Sequence, residues 1–342
     1  MKAMMKLIIK ICKWIGLFLA GVATLLLVAG ICYRLLNSKP IPPGKLVDVN
    51  GTKLHIRAEG ERNNLPTLVL EAGAGGSTDM FHWIAEGLKA QMRVVCYDRE
   101  GKGFSESSGE RITPEFYARQ LHELLERNGE KPPYILVGHS MGGPYHRIFR
   151  ELFPTEVIGM VFLDASHPEQ WKRLAQKELI PKEYINSIRL NSILADVGIV
   201  GIYNKMFNSK FRNDGLPKDC HIRSRAINSY SGRGYARYLK ENDINDKILF
   251  RSGQASDLDS LPVLVFTATE QYSTFQKEKY RREGIDPEAQ VKLWLQMQKE
   301  LKELSTRGKQ FIMDASHGTI ITEKANADII NKEILLMATS IK

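Results

Sequence analysis

Twenty consecutive residues without a formal charge, 14–33 (WIGLFLAGVATLLLVAGICY), stand out near the start of the chain. A helix of that length spans about 30 Å, the thickness of a bilayer's hydrocarbon core. Lys39-Pro40-Ile41-Pro42-Pro43-Gly44 then reads as a linker, and beyond it the hydrophobic period shortens. Residues 45–49 and 53–58 flank Asn50-Gly51, which predicts a hairpin. Apolar runs at 67–71, 94–97, 134–137 and 157–163 predict buried strands, and periodic stretches at 80–89, 114–128 and 144–153 predict helices between them. Near-continuous apolar strands alternating with helices imply an α/β fold, with a mostly parallel sheet covered on both faces. The alternation lapses between about 169 and 258, where helical stretches occur without a buried strand. That interruption is too long for a loop and predicts a helical insertion over the C-terminal edge of the strands, where such sheets bind ligands. Strand 262–266, helix 287–304, strand 310–313 and helix 323–337 resume the pattern. The expected organisation is therefore a membrane anchor (1–38), a linker (39–44) and an α/β domain (45–342) with a helical cap at about 169–258.

Charge supports the anchor and argues against a nucleic-acid partner. The chain carries a net +9, and residues 1–45 hold seven basic side chains and no acidic one. Removing those seven leaves +2 for the remaining 297 residues, so the globular part is nearly neutral. Lys2, Lys6, Lys10 and Lys13 precede the apolar run, while Arg34, Lys39 and Lys45 follow it. The positive-inside tendency places the N-terminus in the cytoplasm and the large domain on the far side, with Trp14 and Tyr33 at the interfaces. A cleaved signal peptide is the competing reading, but its apolar region is usually shorter and no A-x-A site follows. Cys12, Cys32, Cys96 and Cys220 show no metal-ligand spacing and no disulfide framework, leaving only a conceivable Cys96–Cys220 bridge.

The sharpest chemical signal is Gly138-His139-Ser140-Met141-Gly142-Gly143, a G-x-S-x-G pattern between an expected strand and an expected helix. A serine on such a strained turn is lifted clear of the sheet, and the flanking glycines remove side chains that would collide. Its hydroxyl needs a base. His317, in Met313-Asp314-Ala315-Ser316-His317-Gly318 after the last strand, is the expected base, with His167 second. His139, adjoining the nucleophile, is expected to point elsewhere, and His55 to be a surface or packing residue. The oxyanion donors are expected from the backbone of Met141 and of Ala74, in the glycine-rich loop Ala72-Gly73-Ala74-Gly75-Gly76. Two carboxylates could orient the histidine: Asp164 at the end of strand 157–163, and Glu270 just past strand 262–266.

Together these residues resemble the α/β-hydrolase superfamily over roughly 45–342. Tyr97-Asp98-Arg99-Glu100-Gly101-Lys102-Gly103-Phe104-Ser105 is similar to the D-R-x-G-x-G-x-S stretch after the fourth strand. Leu70-Glu71-Ala72-Gly73-Ala74-Gly75-Gly76 resembles an oxyanion loop whose common His-Gly is here Ala72-Gly73. Many members carry an aspartate at the position of Gln271. Others take the acid from the preceding strand, which corresponds to Asp164 and favours it here. Ser140 at the nucleophile weighs against dehalogenase and epoxide hydrolase chemistry, for which similar enzymes use aspartate.

The resemblance implies a serine hydrolase acting on a small-molecule acyl substrate, without metal or organic cofactor. A non-catalytic ligand-binding protein, or a thioesterase, amidase, peptidase or acyltransferase on the same scaffold, are the alternatives. In the insertion, Trp171, Tyr184, Tyr203, Phe207, Phe211, Tyr230, Tyr235 and Tyr238 are expected mostly to pack onto the core. Arg223, Arg225, Arg233 and Arg237 could favour an anionic substrate or phospholipid heads, or form a solvated face. Oligomeric state has no signature.

Overall fold

The computed structural model describes residues 2–207 and 214–341; Phe211 lies outside them. Helix α1 (Lys2–Leu36) is 35 residues long. Its stretch Met4–Leu36 is apolar and long enough to cross a membrane. Strands β1 (Lys45–Val49) and β2 (Thr52–Glu59) form the hairpin, with Val49 opposite Thr52. Asn50 and Gly51 adopt φ of 51° and 81°, the left-handed pair that a two-residue turn requires.

Then follow β3 (Thr67–Glu71), α2 (His82–Leu88), β4 (Val94–Tyr97), α3 (Phe116–Arg127), β5 (Tyr134–His139), α4 (Gly142–Leu152) and β6 (Val157–Leu163). Five helices intervene before the next strand: α5 (Gln170–Arg173), α6 (Lys182–Asp196), α7 (Ile199–Phe207), α8 (Lys218–Tyr230) and α9 (Arg233–Gly253). The chain closes with β7 (Val263–Glu270), α10 (Thr274–Arg282), α11 (Pro287–Glu303), β8 (Gly308–Ser316), α12 (Thr319–Thr322) and α13 (Lys324–Ser340).

The eight strands form one sheet in the order β1-β2-β4-β3-β5-β6-β7-β8, in which only β2 runs against the others. Alternate residues of the central strands feed opposite faces. Tyr134 and Leu136 enter the core beneath α3 and α4, while Ile135 and Val137 enter the core beneath α2 and α13. Both faces are covered, which is why these strands read as unbroken apolar runs. Strands β7 and β8 extend further than their apolar runs suggest, pairing as far as Glu270 with Ser316 across a bulge. Cross-strand hydrogen bonds carry them past the point where hydrophobicity ends.

Helix α10 has no counterpart in the hydrophobic pattern of the sequence, although Ser273 and Gln276 form a capping box at its start. It buries no residue, so it shows no apolar stripe. The aromatic side chains of the insertion also depart from expectation. Tyr184, Tyr203 and Phe207 are exposed, whereas Trp171 packs on the core. Cys96 and Cys220 are buried and free, with no bridge between them.

Candidate active site

Ser140 sits between β5 and α4 with φ of 53°, a left-handed conformation costing a non-glycine residue roughly 1–2 kcal/mol. The surroundings enforce it. A Cβ on Gly138 would come within 2.5 Å of Gly142 C, and one on Gly142 would overlap the Glu71 carbonyl. The Ser140 carbonyl accepts from Ser166 N–H (2.9 Å) and Gly143 N–H (3.1 Å), which locks the turn. The hydroxyl is thus offered at the C-terminal edge of the sheet, ahead of the positive end of α4.

Asp164 and His317 meet beside it. Asp164, also left-handed (φ 44°) and fully buried, ends β6, and its Oδ2 lies 2.6 Å from His317 Nδ1. Three further donors hold the carboxylate: Trp294 Nε1–H (2.8 Å), Ala268 N–H (3.1 Å) and Gln271 Nε2–H (3.0 Å). Burial pushes this carboxyl up, but His317, Gln271 and Trp294 outweigh it and hold the group below its ordinary range. Gln271 thus donates to Asp164, where a second carboxylate would repel it. Glu270 is exposed at the end of β7, and the carboxylate contact to His317 is made by Asp164 instead. Among the described residues no hydrogen bond reaches Ser140 Oγ, and such bonds commonly tighten only when substrate binds.

His139 does not simply turn away. Its Nε2–H donates to the His317 carbonyl (2.8 Å), and the two rings lie 4.6 Å apart. Burial and the neighbouring His317 charge push His139 down to about 3, so it stays a neutral donor bracing the histidine loop. His167 is a structural group: its Nδ1 accepts from Glu169 N–H (3.1 Å) and its Nε2 lies 3.3 Å from Glu300. His55 is buried against Asp98, 2.7 Å away.

Neither the Met141 N–H nor the Ala74 N–H has an acceptor among the described residues. The loop carrying Ala74 is held from below by Arg99. This buried guanidinium donates to Glu71 and to the Ala72 carbonyl, to the Gly73 carbonyl (2.9 Å), and through Nε to Glu241 Oε1 of α9 (3.2 Å). Lys102 Nζ completes the cluster 3.0 Å from Glu241. Burial pushes the Glu71 carboxyl up to about 7, with Arg99 pulling the other way. Arg99→Met would remove the guanidinium from buried Glu71 and leave Glu241 with Lys102 as its cation, and we expect a loss of about 3–5 kcal/mol in denaturant unfolding. Arg99→Lys is not expected to rescue it, because an ammonium cannot reproduce the fork.

Gly73 faces Ser140 directly: a Cβ there would lie 2.7 Å from Ser140 Cβ and 3.2 Å from Ser140 Oγ. Gly73→Ala is expected to lower kcat roughly 100-fold by displacing the serine, with a loss of about 1–3 kcal/mol in unfolding from the overpacking.

A cavity of about 350 Å³ opens where the glycine-rich loop meets the insertion, lined by Ala74, Gly76, Met80, Lys102, Ile227 and Tyr238 among others. A larger one of about 400 Å³ lies at the opposite sheet edge, between Pro262, Gly308 and Met337, far from Ser140. Two of the four arginines in the cluster are consumed internally. Arg223 Nε pairs with Asp79 Oδ1 (3.0 Å), and buried Arg237 pairs with Glu100.

The chain belongs to the α/β-hydrolase fold family, whose model matches residues 66–271. An uncharacterised protein of Schizosaccharomyces pombe is 24% identical over 286 residues, covering 74% of this chain and 51% of the relative. A monoacylglycerol lipase of Xenopus laevis is 26% identical over 130 residues, covering 36% of this chain and 39% of the relative. The matched region thus spans about half or less of these relatives' length. Among solved structures, an enol-lactonase from Burkholderia xenovorans LB400 has TM-score 0.56 and 21% identity, covering 86% of this chain and all of that one. That likeness shows the fold.

Proposed function

We propose that the protein is a membrane-anchored serine hydrolase that cleaves a carboxylic ester or related acyl bond. The observation that carries this reading is the 2.6 Å contact between His317 Nδ1 and a buried, triply supported Asp164. It fixes the tautomer that leaves Nε2 free to accept a proton. Ser140 Oγ attacks the acyl carbon as His317 Nε2 takes its proton. The N–H groups of Met141 and Ala74 receive the oxyanion. His317 then protonates the leaving group, and water repeats the sequence to release the acid. The cavity at Ala74 is the expected place for the substrate beyond the carbonyl, beneath the cap formed by about 169–258.

The relatives named as a monoacylglycerol lipase and an enol-lactonase make a lipid ester and a lactone the first substrates to try. Helix α1 is the proposed anchor of the segment 1–38, with the N-terminus cytoplasmic and the 45–342 domain on the far side. The test is covalent labelling of the full-length chain in detergent with a fluorophosphonate, followed by peptide mass mapping. We expect one adduct, on Ser140. A folded chain that takes no label overturns the reading and favours a ligand-binding protein, and label on another serine overturns the assignment of Ser140.

A further inference from the structure

Helix α1 does not leave the domain freely. Its Gly30 is buried against α7, and a Cβ there would overlap the Val197 carbonyl. On the other side, Cβ atoms on Gly198 and Gly201 would overlap the Gly30 carbonyl and the Tyr33 ring. Such mutual glycine contacts let two helices approach backbone to backbone. The Arg34 guanidinium donates to the Asp196 carbonyl and lies 5.1 Å from the centre of the Tyr230 ring.

The depth of this contact is informative. The uncharged run ends at Tyr33, and Gly30 lies three residues inside it. If residues 14–33 fill the hydrocarbon core, Gly30 sits about 4.5 Å below the level of Tyr33. The backbone at 197–199 must then reach the boundary between headgroups and acyl chains. Helices α6 and α7 meet there at a 90° bend, and together they are apolar enough for a membrane segment. Their outward side chains Leu190, Ile193, Tyr203, Met206 and Phe207 are each more than half exposed, at 55, 61, 56, 70 and 64%. The single charge on α7 is Lys205. Apolar and aromatic side chains beside a lysine suit an interfacial helix.

We propose that the α6–α7 hairpin is a second, monotopic membrane contact, resting in the phospholipid headgroup–acyl boundary of the leaflet from which α1 emerges. This rests on the reading of α1 as the anchor. The hairpin also adjoins the cavity. Asn204 Nδ2 of α7 donates to Ser229 Oγ of α8 (2.7 Å), and α8 lines the cavity with Ile227. The insertion is thereby held against the lipid with the cavity one helix away, so a lipid-borne ester has a short path to Ala74.

The test uses the full chain in phosphatidylcholine–phosphatidylglycerol nanodiscs, with Cys12 and Cys32 replaced by Ser. A nitroxide is attached at Met206→Cys, at Leu19→Cys in α1, or at Lys131→Cys, an exposed site before β5. The readout is the ratio of relaxation by oxygen to relaxation by a water-soluble nickel chelate. Position 206 is expected to favour oxygen, as 19 does, and to invert the ratio found at 131. If 206 matches 131 while 19 favours oxygen, the hairpin contact is wrong and the anchor stands. If 19 is as aqueous as 131, the anchor reading falls and takes this inference with it. Shielding of 206 from both reagents with dipolar broadening means that a second copy covers the face, which also overturns the proposal.

Discussion

Ser140→Ala is expected to lower kcat for ester hydrolysis on the order of 10⁶-fold while leaving the unfolding midpoint within about a degree of wild type. The substitution deletes an oxygen to which no hydrogen bond runs among the described residues, so folding loses little. The left-handed backbone at φ 53° is imposed by Gly138, Gly142 and the two bonds to the Ser140 carbonyl, all of which remain. Only the proposed nucleophile disappears. What survives is the rate available to water in a site that still has Met141, Ala74 and His317. Steady-state hydrolysis of short-chain nitrophenyl esters measures it, and activity within tenfold of wild type would remove Ser140 from the mechanism.

Asp164→Asn is expected to lower kcat roughly 10⁴-fold with little change in KM. An amide in that place offers an N–H to His317 Nδ1. The ring must then carry its proton on Nε2, the wrong tautomer to accept one from serine. The amide also meets the donors Trp294, Ala268 and Gln271 with less acceptor capacity, so some loss of stability should accompany the kinetic effect. Glu270→Gln is the control and is expected to be neutral, because that side chain lies exposed at the end of β7. Loss of activity in Glu270→Gln with retention in Asp164→Asn would reverse the assignment of the acid.

The two carboxylates show where reading the sequence stops. Asp164 and Glu270 both follow strands at the same edge of the sheet, and reach along the chain does not separate them. The choice depends on a bulge between Ala268 and Glu270 that turns the glutamate outward, and on Gln271 and Trp294 arriving to bind Asp164. Trp294 lies on α11, 130 residues away, where it reads as one apolar position among several. His139 is a similar case. Adjacent to Ser140 in sequence, it gave no sign of touching His317, which lies 178 residues further on.

Arg99 was visible as a family-like motif residue, but its partner Glu241 lies within the insertion, where no pattern marked it. The same holds for the exposed face of α6 and α7. Composition alone does not say whether Tyr203 and Phe207 pack inward or outward.

Features set by neighbours a few residues apart were therefore legible: the Asn50-Gly51 turn, the buried strands, the apolar helix at the N-terminus, and a serine on a strand-to-helix turn. Their causes are local, in backbone conformation, hydrophobic period and the space that glycine leaves. The contact of Asp164 with His317 spans 153 residues, and Arg99 reaches Glu241 across 142. Those distances close only when eight strands align in one sheet and the insertion folds over it. Tertiary packing, which brings distant carboxylates, donors and helices to the same edge, decided the rest.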